Sequence, residues 1–268
     1  MKCALFVFCT LFTHSASARE PERVPVDSAL QRTRGMSVGV FDPLRVALTP
    51  RLELVTHPLL FLALDPNARL RVGWIRTRHF ALSGEYGLSL PTQTLRFTKG
   101  YLFPTWDKSD ANVGWVLVPS AGVSASWLQG AGVLSAHLDT ALGVQLGRND
   151  ATPLDTYAPL ELVTAPVTSG FRHHLGVQYD LALWESLHVR IGVDTHLLGH
   201  AQRSPWVHDA RIAVDVYPSS SWRLSFGAIV YDYDQRRTEV RTGDDGFAVR
   251  ERVRSREIWP TFDLVYQR

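Results

Sequence analysis

Cysteine is almost absent. The 268 residues contain only Cys3 and Cys9, both inside the first 18 positions, so a disulfide framework of the kind that holds small secreted domains is excluded. Long apolar runs are missing too. The nearest is Pro58–Leu64, stopped by Asp65-Pro66-Asn67, far short of the roughly 20 residues a membrane helix requires. Lysine occurs only at Lys2, Lys99 and Lys108, so arginine carries the basic charge, which reads as genome composition rather than function. The net charge of +2 is too small to indicate a nucleic-acid partner. No stretch shows 3.6-residue apolar periodicity, so no helix is expected, and with none there is no phosphate-cradling loop to precede it.

What is present begins with an export signal. Lys2 supplies a positive n-region, Cys3 to Phe12 an apolar core, and Ala16-Ser17-Ala18 an A-x-A cleavage site. Neither cysteine sits in a lipobox, so residues 1–18 are expected to be a cleaved signal peptide rather than a lipoprotein leader. Residues 19–34 are charged, proline-containing and aperiodic, the composition of a flexible periplasmic lead-in. Residues 35–268 then form one domain.

The informative pattern is a period of two. From Val133 to Leu146, Leu134, Ala136, Leu138, Thr140, Leu142, Val144 and Leu146 share one face, while Ser135, His137, Asp139, Ala141, Gly143 and Gln145 share the other. Successive side chains of a strand point to opposite sides, so one side seeks hydrocarbon and the other tolerates water and charge. Twelve such segments follow one another: Ser37–Phe41, Leu44–Thr49, Leu52–His57, Ala68–Arg76, Phe80–Leu90, Trp115–Trp127, Val133–Gly147, Arg172–Trp184, Leu187–Gly199, Asp209–Tyr217, Trp222–Tyr233 and Arg252–Tyr266. Short connections alternate with long ones, the longest being Pro91–Gly114, Arg148–Phe171 and Asp234–Glu251. These features predict an all-β fold, a closed antiparallel up-and-down transmembrane β-barrel of about 12 strands, with 10 as the alternative. Trp115 and Trp127 lie on one face twelve residues apart. That spacing amounts to roughly 28 Å of membrane depth at a 45° tilt, enough to flank an apolar band about 25 Å tall.

Arg45-Val-Ala-Leu-Thr-Pro-Arg-Leu-Glu-Leu54 resembles the strand–short turn–strand element, often Y-G-L-T-D-R-L-E-L, of many bacterial outer-membrane β-barrels. Phe262-Asp-Leu-Val-Tyr266 resembles their alternating, aromatic-ended last strand, although Gln267-Arg268 follow the aromatic. The resemblance implies the outer-membrane superfamily, residence in outer-membrane lipid and delivery by the barrel-insertion machinery. It implies no substrate.

Extending the alternation to every strand places an ionisable row inside: Glu53, Arg69, Arg71, Glu85, His137, Asp139, Asp180, His188, Arg190, Asp194, His196, Arg211, Asp215, Arg223, Glu257 and Asp263. Lipid-facing arginine or lysine at the bilayer midplane costs about 2–4 kcal/mol, which explains such segregation. The expected function is non-enzymatic, either a small channel or a structural or surface-exposed barrel with a charged lumen. No cofactor, metal or catalytic residue is assigned, and the partners of the long loops stay open. Ser135, His137 and Asp139 contain the residue types of a triad, yet they lie on one strand at i, i+2, i+4, a strained arrangement for direct bonding. His196, His200, His208 and the His173-His174 pair lack compact metal-ligand spacing. Gly243–Gly246 and Gly147–Asp150 read as turns. The rivals are an outer-membrane enzyme acting on lipid, and a soluble exported β-barrel binding a small apolar ligand, which requires the opposite polarity.

Overall fold

Alternating residues with one apolar face build thirteen strands in the computed structural model, which describes residues 24–25, 28–31, 34–62, 64–98, 112–150, 158–199, 205–242 and 248–268. In chain order they are β1 (Met36–Gly39), β2 (Leu44–Thr49), β3 (Leu52–Thr56), β4 (Asn67–Arg76), β5 (Phe80–Ser89), β6 (Trp115–Gln129) and β7 (Gly132–Leu142). They continue as β8 (Val144–Leu146), β9 (Phe171–Trp184), β10 (Leu187–Leu198), β11 (Trp206–Ser219), β12 (Trp222–Thr242) and β13 (Ala248–Gln267). The expected signal peptide and most of the lead-in lie outside the described residues.

Each strand pairs antiparallel with its neighbours, and two pairings close the circuit, β5 with β6 and β1 with β13. β8 continues β7 past Gly143 and pairs with the same strand, β6. The wall is therefore twelve strands around, a closed antiparallel barrel. The interruption has a local cause. A Cβ at Gly143 would stand 1.7 Å from the Pro166 carbonyl oxygen, so only glycine lets that backbone come so close.

Two features depart from the sequence expectation. Among the described residues, three helices fill the outer connections: α1 (Pro58–Leu62), α2 (Thr92–Thr98) and α3 (Ala158–Ser169). α3 lies within the barrel mouth and buries most of its residues, polar Glu161, Thr164 and Thr168 included: Ala158, Leu162 and Ala165 pack on Leu198, Val207, Tyr231 and Tyr233. On its other flank Val167 joins Leu95 of α2 and Val116, Val118 and Ala141 of the wall. The second departure is Asp234–Glu251, expected as a loop. β12 and β13 pair on to Thr242↔Ala248, past a bulge between Asp234 and Thr238. Beyond the membrane a ladder needs no apolar face, so its signal fades from the sequence.

The wall is uneven in height. β6 and β9 have 15 and 14 residues, whereas β1, β2 and β3 have 4, 6 and 5. Fourteen tilted residues climb about 33 Å and five only about 12 Å. Above the Gly39↔Val265 pair, β13 has a ladder partner on one side only among the described residues. At the opposite end, Ser28–Gln31, inside the stretch read as lead-in, lies buried within the barrel. Ala29 and Leu30 pack on Ala81, Leu128 and Val133 near the short turns.

Candidate functional site

Register decides which side chains share the interior. Ile191 pairs with Ile212 and Tyr179, Val193 with Val177, and Phe226 with Phe262, and these apolar rows face outward. Ile191 is 52% exposed and Val193 57%, whereas Asp194, the next residue along the strand, is 4% exposed and Arg71 on β4 only 2%. A water-soluble barrel has the reverse arrangement. Exposed tryptophans mark both rims: Trp74, Trp127 and Trp222 at the short-turn end, Trp115 and Trp206 at the loop end. Indole rings favour such membrane–water boundaries. This is a transmembrane β-barrel. Its polarity rules out the soluble apolar-ligand carrier.

Comparison with known proteins adds no activity. No family model matches the chain, and no curated protein matches it significantly. Similar solved structures include the outer-membrane expressed OmpT of Vibrio cholerae, at 11% identity over 84% of this chain and TM-score 0.46. The in-vitro folded trimer form of the same protein gives 11% over 86% with TM-score 0.45. OprD of Pseudomonas aeruginosa gives 10% over 92% with TM-score 0.41. The chain spans 63% of the OmpT chains and 64% of OprD.

Inside, the ionisable row resolves into clusters. Arg71 links three strands, donating to Glu53 on β3 at 3.1 Å and standing 2.7 Å from Glu85 on β5. Its second Nη donates to the Ser28 carbonyl, while Ala29 N donates to Ser126 Oγ at 2.8 Å and Arg76 to the Gln31 carbonyl at 3.3 Å. These contacts tie the N-terminal segment to the short-turn end of the lumen. Arg69, the next inward residue on β4, is exposed to the cavity and forms no salt bridge among the described residues.

On the far wall, Arg190 donates to Asp215 and Ser225, each at 3.0 Å. Arg223 pairs with Asp42 of the β1–β2 loop. Asp263 accepts from the backbone N–H groups of Val40, Phe41 and Asp42, folding that loop inward. Higher on β12 and β13, Tyr233 and Trp259 both donate to Glu257. Gln178 donates to Asp180 at 2.8 Å, and His188 packs against Tyr217.

β7, β9 and β10 bring the remaining predicted residues together with one that sequence reasoning had put elsewhere. His137 and Asp194 flank Gly176 in one row, and Asp139 and His196 flank His174 in the next. His174 stacks on His196 with centroids 4.3 Å apart, and His196 Nε2 lies 2.9 Å from Asp209. Arg211 bonds Asp194 Oδ2 at 2.9 Å, and Arg172 stands 3.7 Å from Asp139. His174, whose spacing in the sequence gives no sign of a cluster, gains its inward neighbours only through the stagger of three strands. His173 faces out to Thr140, His208 faces out to Thr195, and His200 lies outside the described residues. The Ser135–His137–Asp139 row does not assemble. Ser135 bonds Ser126 at 2.8 Å, His137 turns to Asp194, and Asp139 turns to His174.

A cavity of about 880 Å³ lies between these clusters and the helices of the mouth. Six arginines line it, Arg45, Arg69, Arg71, Arg172, Arg190 and Arg211, against the carboxylates of Asp42, Asp65, Glu85, Asp139 and Asp263. Asp65, in the connection between α1 and β4, has its pKa pushed up to about 6 by burial, a rise partly opposed by the Leu90 N–H it accepts.

Proposed function

We propose that this barrel is a narrow passage for small solutes across the outer membrane, with a preference for anions. The arginine-lined cavity carries the reading. Six arginines face five carboxylates around this open volume, and Arg69 is exposed there with no salt bridge among the described residues. Rings of arginine select anions in pores by replacing part of their hydration. α3 and Leu95 of α2 constrict the outer end, and Ser28–Gln31 constricts the inner end, so the conductance is expected to be small.

A planar bilayer tests this. The protein should give small stepwise currents, and a salt gradient should set a reversal potential of anion-preferring sign. Arg69→Gln should move that potential toward cation preference. A silent bilayer with inserted protein would select the structural role instead. The locked Glu53–Arg71–Glu85 cross-link is the observation favouring that second reading.

A further inference from the structure

We propose that His137, His174 and Asp194 form a binding site for one borderline divalent cation, with zinc as the reference ion, set in the inner wall beside the cavity. His137 Nε2 lies 3.2 Å from His174 Nε2 and 3.1 Å from Asp194 Oδ1, and His174 Nε2 lies 2.9 Å from that same oxygen. Three potential ligand atoms thus face one another across a single small triangle. Ligand atoms around a tetrahedral zinc sit roughly 3.3 Å apart, given Zn–N and Zn–O bonds of about 2.0–2.2 Å. One ion can therefore touch all three with little movement of the side chains.

The surroundings fix the ligands in a metal-ready form. His174 Nδ1 lies 2.6 Å from Asp139 Oδ2. An ionised carboxylate only accepts, so a proton sits on Nδ1 and Nε2 is turned toward the triangle, where a cation would displace the proton it shares with Asp194 Oδ1. A carboxylate behind a ligating imidazole is the usual outer support of such sites, orienting the ring and raising its basicity. Arg211 occupies Asp194 Oδ2 and leaves Oδ1 to the triangle. Without an ion, both Nε2–H groups can donate to Asp194 Oδ1, so a bound cation must release those protons. Gly176 makes the convergence possible. A Cβ there would stand 2.0 Å from Asp194 Oδ1 and 2.2 Å from His137 Nε2. Two imidazoles and one carboxylate suit zinc and its first-row neighbours rather than calcium or magnesium.

The test uses Co²⁺ as a coloured probe of the folded protein in detergent, with folding verified by heat-modifiable gel migration. Co²⁺ should bind one per chain with visible d–d bands that Zn²⁺ erases. His137→Ala and His174→Ala should abolish the bands, and the outward-facing His173→Ala should leave them intact. Asp139→Asn, which keeps shape and touches no ion, should weaken affinity about 10- to 100-fold. Wild-type protein that folds yet shows no d–d bands overturns the site. So do bands that persist in both His137→Ala and His174→Ala.

Discussion

Ile212→Arg tests the exterior directly. Ile212 sits six residues below Trp206 on the same outward row of β11, with its side chain half exposed. Six residues on a tilted strand place it roughly 14 Å below the outer aromatic rim, near the middle of the apolar band. Arginine facing lipid at that depth costs about 2–4 kcal/mol, and only about 0–1 kcal/mol near an interface. Leu183, also outward but one residue from the end of β9, supplies the interfacial control. The folded-to-unfolded ratio should therefore fall roughly 30- to 700-fold for Ile212→Arg, and by little for Leu183→Arg. Equilibrium unfolding in denaturant with lipid vesicles, followed by the fluorescence of the eight tryptophans, reads both values. Equal penalties at the two positions, or a cost below about 1 kcal/mol at Ile212, would refute the placement of hydrocarbon around this wall.

Three further outcomes follow from the interior. Arg71→Met strands the buried Glu53 carboxylate and should destabilise the barrel by about 3–5 kcal/mol; adding Glu53→Gln should recover part of that loss in the same unfolding assay. Asp65 binds its proton more tightly in the folded chain than in the unfolded one, from 3.8 up to about 6. Its contribution to stability therefore falls as pH rises through that window. The stability advantage of Asp65→Asn over wild type should grow between those pH values and level off above them, and a pH-independent difference would contradict this. Ala29→Cys with Ser126→Cys, placed where Ala29 N meets Ser126 Oγ at 2.8 Å, should form a disulfide on oxidation, seen as a gel shift reversed by reductant; a pair that stays reduced would place the segment outside the lumen.

Much of the architecture was legible because a lipid-facing strand needs an apolar residue at every second position. The segments Leu187–Gly199 and Leu52–His57 were therefore visible to within a residue or so of their observed limits. α3 was not, because a helix packed against the wall on two flanks lacks a single apolar stripe: its Ala165 and Val167 face different walls. The paired extension of β12 and β13 was hidden for the converse reason, since water places no demand on either face. Within the lumen, the alternation put His137 and Asp194 on the inward face, but the sequence does not report how far one strand slides against the next. The contact of His174 with both of them depends on that slide, through Asp139↔His174 and Asp194↔Gly176. Ser28–Gln31 gave no periodic signal because only two adjacent apolar side chains, Ala29 and Leu30, meet the wall, and backbone groups, which any residue supplies, do the rest.

The low stretch of wall at β1–β3 has a consequence for the surrounding bilayer. Past Leu264, among the described residues, β13 has no ladder partner on its β1 side, and its peptide dipoles there turn sideways at a depth where hydrocarbon normally lies. Acyl chains offer those groups nothing, at a penalty of several kcal/mol for each one left bare. Headgroups and water must therefore sink toward this flank, so that the protein sits in a lopsided dimple, its leaflet thin on one side and full on the other.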